Sequence, residues 1–99
     1  MTVKEKRGRR RYVAFTVDRT LTKEIIIEKL KKLSAAPPYV VQCAEGWAIV
    51  RCSLNDVDAT ISMIRLADPS SASLRTSGTL ASLRDAYPEL KRLRPVKRM

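Results

Sequence analysis

From residue 12 onward the spacing of apolar side chains switches between about two and about 3.6 residues, and the order of those switches constrains the fold more than any single motif. Tyr12 to Val17 alternates, with Val13, Phe15 and Val17 on one side and Tyr12, Ala14 and Thr16 on the other, the period of a half-buried strand. Thr22 then predicts the cap of a helix with Glu24 in its first turn. Its apolar stripe is Ile26, Leu30 and Leu33, widened by Ile25 and Ile27. Lys29, Lys31 and Lys32 lie toward its C-terminal end, where they complement the helix dipole. Ser34-Ala35-Ala36-Pro37-Pro38 ends that helix, and Tyr39 to Ala44 reads as a second strand. Glu45-Gly46 is a hairpin turn in which glycine supplies the positive φ, and Trp47 to Cys52 is the third strand. A two-residue loop sets Ala44 opposite Trp47 and Cys43 opposite Ala48, so Cys43 and Cys52 are not opposed; a glycine bulge would shift that register by one residue. Ser53-Leu54-Asn55-Asp56 resembles a capping box, followed by Val57, Ile61, Ile64 and Ala67 at helical spacing up to Asp68-Pro69. Leu74-Arg75-Thr76 is a short fourth strand closed by Ser77-Gly78-Thr79. Leu80, Leu83, Tyr87, Leu90 and Leu93 form a last amphipathic segment, in which Pro88 either kinks a helix or opens a new one.

Strand, helix, strand, strand, helix, strand is the split βαβ order of an α+β, ferredoxin-like or RNA-recognition-motif-like α/β sandwich (βαββαβ), here with an extra C-terminal helix. The expected organisation is a basic N-terminal arm (1–11), a core domain (12–79) and a C-terminal helix with a basic tail (80–99). Ninety-nine residues leave room for one small core. No apolar run approaches the ~18 residues of a bilayer span, and the N-terminus lacks the apolar segment of a signal peptide, so a soluble, cytoplasmic protein with no membrane partner is expected. Cys43 and Cys52 have no metal-type spacing and read as small apolar residues of a reducing compartment. The sequence has no histidine, which removes the commonest general base and the imidazole ligand. No catalytic residue, metal ligand or bound cofactor is therefore expected of the chain itself.

The distribution of charge points to a partner. The chain carries 20 Lys and Arg against 10 Asp and Glu, a net charge of +10. Lys4, Lys6, Arg7, Arg9, Arg10 and Arg11 stand against Glu5 at one end, and Lys91, Arg92, Arg94, Lys97 and Arg98 stand without an acid at the other. Residues 12 to 90 are formally neutral, with nine charges of each sign. Two concentrated cationic ends suit a polyanion that releases counterions on binding, and nucleic acid is the leading partner class. The expected RNA-binding residues are Arg7, Arg9, Arg10, Arg11, Tyr12, Trp47, Arg51, Lys91, Arg92, Arg94, Lys97 and Arg98. Arg10 and Arg11 adjoin a strand, so they lose less freedom on meeting phosphate than residues of a loose tail.

In RNA recognition motifs the sheet face opposite the helices stacks bases on aromatic rings. Glu45-Gly46-Trp47-Ala48-Ile49-Val50-Arg51-Cys52 resembles the third-strand consensus of such domains in its glycine, aromatic, small and aliphatic positions, with Glu45, Ile49 and Cys52 departing from it. Trp47 and Tyr12 then offer stacking surface, or the last amphipathic segment covers them. Burying such a Trp-Ile patch is favourable by about 2–3 kcal/mol, comparable to stacking one base at ~1–3 kcal/mol. The spare segment favours cover and leaves phosphate contacts as the main RNA-binding device.

Arg9 to Val17, Gly46-Trp47-Ala48-Ile49-Val50-Arg51-Cys52 with a capped helix directly after it, and Arg75-Thr76-Ser77-Gly78-Thr79-Leu80 together resemble the small protein subunit of archaeal ribonuclease P, component 2, over about residues 9 to 93. The first helix and its link are compact for that family and the basic C-terminal extension is brief. The resemblance implies a non-catalytic subunit of a ribonucleoprotein endoribonuclease that removes 5′ leaders from precursor tRNA. The RNA subunit would hold the catalytic Mg2+. Implied partners are ribonuclease P RNA, precursor tRNA and a larger barrel-shaped protein subunit in a heterotetramer. Arg10, Arg11, Tyr12, Arg51, Cys52, Ser77, Gly78 and Thr79 fall on the family's recurring positions, with Arg10 and Arg11 assigned to phosphate, Cys52 to packing and the Ser77-Gly78-Thr79 turn either to phosphate through its backbone N–H groups or, the favoured reading, to starting the last helix. The alternatives are a ferredoxin-like regulatory module binding a small ligand, and a free-standing RNA-binding protein.

Overall fold

Residues 10–93 are described by a computed structural model of the chain. The elements run β1 (Arg10–Thr16), α1 (Lys23–Leu33), β2 (Tyr39–Ala44), β3 (Trp47–Ser53), a 3₁₀ turn (Leu54–Asp56), α2 (Val57–Ala67), β4 (Ala72–Ser77), α3 (Leu80–Ala86) and α4 (Pro88–Arg92). The four strands form one antiparallel sheet in the order β2-β3-β1-β4, compatible with a ferredoxin-like fold. No helix among the described residues is long and apolar enough to cross a membrane.

The alternation of β1 sorts its side chains between two cores. Val13, Phe15 and Val17 join Ile26 and Leu30 of α1, Ile64 and Ala67 of α2, and Val40, Ala48 and Val50 of the neighbouring strands. Ala14 and Ile49, on the opposite face, are fully buried beneath Leu83 of α3 and Leu90 of α4, with Tyr12, Val41, Trp47, Leu74, Leu80 and Tyr87 packed around them. The sheet is therefore covered on both faces, and the last segment is the cover. Pro88 opens a second short helix at its first turn instead of kinking one long helix. Helices of seven and five residues are marginal in isolation, so their packing on the sheet is what maintains them.

Several local expectations hold. Thr22 caps α1, its hydroxyl accepting from the Ile25 N–H at 3.2 Å. Ala44 opposes Trp47 and Cys43 opposes Ala48 across Glu45-Gly46, both turn residues having positive φ. Cys43 and Cys52 are unpaired thiols. Others are corrected. β1 starts at Arg10, not Tyr12, because Arg10 and Arg11 pair with Ser53 and Cys52 of a third strand that runs one residue further than expected. β4 extends to Ala72–Ser77 for the same reason, pairing along β1. Leu33 leaves the apolar stripe of α1 and is 45% exposed, and Ile25 is exposed as well, since β2 and α2 reach only the Ile26–Leu30 line. Ser53 forms no capping box: its hydroxyl donates to the Asp56 carboxylate at 2.9 Å and a 3₁₀ turn precedes α2.

Two buried polar side chains join segments distant in sequence. Asp68, 7% exposed, accepts from the Asp18 N–H at 2.8 Å and from the N–H and hydroxyl of Ser70, tying the β1–α1 link to the α2–β4 link. Gln42, 2% exposed, donates through Nε2 to the Leu90 carbonyl at 3.0 Å and accepts from Arg84 Nη2 at 2.7 Å, pinning α4 and α3 to the sheet.

Candidate nucleic-acid interface

Cross-strand pairing brings the N-terminal arginines to a third-strand arginine. Tyr12 opposes Arg51 on β3 and Ser77 on β4, and Arg51 also opposes Tyr39 on β2. One rung of the sheet thus reads Tyr39, Arg51, Tyr12, Ser77 on a single face, with Arg10 and Ser53 on the next rung of that face. Neighbouring strands lie about 4.8 Å apart, so the four-residue rung spans about 14 Å. Arg10 is exposed and Arg51 half-buried, and neither they nor Tyr39 belong to the apolar cluster beneath α3 and α4. Arg11 points to the α1–α2 side. Its Nη1 donates to the Arg10 carbonyl at 2.9 Å and lies 3.7 Å from where a side chain on Gly78 would begin.

Tyr39 is the residue that sequence reasoning missed. The residue is 54% exposed, and the Arg51 guanidinium carbon lies 4.7 Å and Lys23 Nζ 5.9 Å from its ring centroid. Counting back from the two-residue hairpin pairs Val40 with Arg51 and places Tyr39 opposite Cys52, on the α1–α2 side. The observed pairs are Gln42–Ile49, Val40–Val50 and Tyr39–Arg51, because the register shifts between Val40 and Gln42. The extra residue, Val41, sends Val40 into the main core and turns Tyr39 to the opposite face. Aromatic and arginine content alone carried no signal for this; a preference of Val40 over Tyr39 for the closed core was the only hint.

The remaining expected RNA-binding residues divide. Trp47 lies at the hairpin end of β3, its ring 6.0 Å from that of Tyr87, and Tyr12 is half-buried against the same cluster. Neither ring is a bare stacking surface, which corrects the open-face alternative: α3 and α4 occupy it. Lys91 and Arg92 are exposed on the last turn of α4, beside the hairpin, where Arg92 comes within 4.0 Å of the Glu45 carboxylate. Both partners are more than half exposed, so the pair contributes little. β3 separates this end from Arg10 by about 20 Å at ~3.3 Å per residue. The structure brings Arg10, Tyr12 and Arg51 together on one face, puts Arg11 beside them on the other face, and sets Trp47, Lys91 and Arg92 apart at the far end of the sheet. Arg7, Arg9, Arg94, Lys97 and Arg98 lie outside the described residues.

The Ser77-Gly78-Thr79 turn has a structural use, as expected. Thr79 Oγ1 accepts from the Ser82 N–H at 3.2 Å and caps α3, while the Thr79 N–H donates to Ser77 Oγ at 3.2 Å. Cys43 lies on the core side; burial, reinforced by the Asp68 charge, pushes its thiol up to about 11, and Sγ donates to the Leu21 carbonyl at 3.5 Å. Among the described residues no three His, Cys, Asp or Glu side chains form a group able to hold a metal ion. What the arrangement offers chemically is cationic and aromatic surface for a polyanion. No family model and no curated protein matches this chain.

Proposed function

We propose that this chain is a non-catalytic, RNA-binding protein subunit of ribonuclease P, built on an RNA-recognition-motif-like version of the ferredoxin-like βαββαβ arrangement. The observation that carries the reading is the uncovered Arg10, Arg51 and Tyr39 corner of the sheet, which in sequence directly follows the strongly cationic residues 1–9. Such a corner meets RNA through phosphates, which set register and orientation without reading sequence. Arginine suits this role because its planar fork donates two parallel hydrogen bonds to a phosphate. The cutting chemistry belongs to Mg2+ ions held by the RNA. The protein's cations replace part of the diffuse counterion atmosphere, so the folded RNA and its precursor-tRNA substrate approach each other at lower magnesium. The partners in this reading are ribonuclease P RNA, precursor tRNA and a barrel-shaped protein subunit in a heterotetramer, in the cytoplasm.

The test is the affinity of the full chain for ribonuclease P RNA across a salt series, with and without Arg9, Arg10 and Arg11 replaced by alanine. A steep fall of log affinity with log salt is expected, and its slope shrinks by about 0.7–0.9 for each phosphate contact removed. Circular dichroism of the triple variant should be unchanged. A flat salt dependence, or no stimulation of precursor-tRNA cleavage at limiting magnesium on reconstitution with RNA and a candidate partner, overturns the reading.

A further inference from the structure

We propose that Tyr39 and Arg51 form a platform for one unpaired nucleotide of RNA, the base stacking on the tyrosine–guanidinium pair and the adjoining phosphate meeting Arg10. This rests on the RNA-binding reading above and names the form of RNA that the corner takes. Three observations support it. First, the ring is exposed by construction: the shift at Val41 gives the core position to Val40 and turns Tyr39 to the opposite face at an edge that α3 and α4 do not cover. Second, the surroundings match an anion. Arg51 and Lys23 lie against the ring and Arg10 stands on the next rung of the same face, two strands from Tyr39; among the described residues none of the three has a carboxylate within 4.0 Å, and Asp56, just past Ser53, is engaged by the Ser53 hydroxyl. Third, the other aromatic residues of this face are occupied, Trp47 against Tyr87 and Tyr12 against the cluster under α3 and α4.

Paired RNA keeps its bases stacked inside the duplex and presents phosphates and 2′-hydroxyls, for which an exposed ring has no use. Unpaired bases in loops and bulges are free to stack on aromatic rings and on guanidinium planes. The Arg51 side chain is already held over one face of the Tyr39 ring, so neither group needs reordering when a base stacks on the pair. The occupant is therefore a single-stranded segment. Its selectivity for base identity is low, because every base has a π-face.

Fluorescence anisotropy of the full chain with an unstructured oligouridine strand, and with an RNA duplex of the same length, tests the platform. Tyr39→Ala should weaken oligouridine binding about 5- to 150-fold, the equilibrium equivalent of stacking one base on a ring. Tyr39→Phe should bind as the parent does, and duplex affinity and the salt slope should stay unchanged in both variants. Arg10→Ala should reduce the slope on the single strand by about 0.7. If the parent chain binds oligouridine and Tyr39→Ala loses nothing, or loses equally on the duplex, the platform is overturned while RNA binding stands. If the parent binds neither RNA, both readings fall. Should circular dichroism show Tyr39→Ala unfolded, the unaltered chain is irradiated with a 5-bromouridine-substituted strand. An adduct in the peptide containing Tyr39 or Arg51 supports the platform, and adducts only elsewhere overturn it.

Discussion

Replacing Gln42 by leucine is the sharpest probe of how the two C-terminal helices are held. The substitution keeps most of the side chain's volume and removes both of its bonds. The first, from Nε2 to the Leu90 carbonyl, supplies a partner to one of the last carbonyls of a five-residue helix, which has no further turn to receive it. Leu90 is fully buried, so leaving that carbonyl without a partner costs about 1–3 kcal/mol. The second, from Arg84 Nη2 to Oε1 at 2.7 Å, is charge-assisted and contributes about 1.5–3 kcal/mol. Together the loss is about 2.5–6 kcal/mol, a large part of the roughly 5–15 kcal/mol that holds a domain of this size. A lowering of Tm by about 10–50 °C follows. Trp47 is the sequence's single tryptophan and its ring lies beside Tyr87, so its fluorescence reports the cover directly. In urea, Gln42→Leu should show a shift in Trp47 emission before the far-ultraviolet dichroism of the sheet is lost. A Tm within about 3 °C of the parent, with coincident transitions, would refute the reasoning: the helices would then be held by apolar packing without the Gln42 bonds.

Asp68 makes stability depend on acid. Burial acts to raise its pKa, but hydrogen bonds from Ser70 and the Asp18 N–H outweigh it and hold the carboxyl below its ordinary 3.8. That contribution is present in full above 3.8 and disappears as pH falls through the lower folded value. Asp68→Asn should thus be less stable than the parent at about pH 7 and converge on it toward about pH 2; a gap in urea midpoint that does not change with pH contradicts this. Gly46→Ala places a side chain at φ +91°, with its Cβ 3.3 Å from Arg19 Cγ, and should cost about 1–2 kcal/mol, or about 5–15 °C in Tm. An unchanged Tm would mean that the hairpin adopts another turn.

How much was legible in advance follows from the range of the forces involved. The cap at Thr22, the turn at Glu45-Gly46, the end of α2 at Asp68 and the alternation of β1 each depend on residues within a few positions, and each stands as read. The pairs Ala44–Trp47 and Cys43–Ala48 follow from the loop length alone. The same count reaches one rung more, Gln42–Ile49, and there local information ends. Whether β2 carries a bulge depends on which of Tyr39, Val40, Val41 and Gln42 the surrounding elements can bury. One core, under α1 and α2, takes Val40; the other, under α3 and α4, takes Val41 and the two hydrogen bonds of Gln42. Arg84 and Gln42 lie 42 residues apart and Asp18 and Asp68 lie 50 apart, so no window of sequence displays either contact.

The chain by itself determined the succession of strands and helices, the hairpin, and the concentration of cations at its two ends, because periodicity, turn chemistry and charge are properties of neighbouring residues. Only the tertiary structure decided that the second sheet face is closed, that Arg10 and Arg92 belong to opposite ends of the sheet, and that Tyr39 stands beside Arg51. Those outcomes depend on competition among distant segments for two limited apolar interiors, and a one-residue shift in β2 is enough to move a side chain from one face to the other.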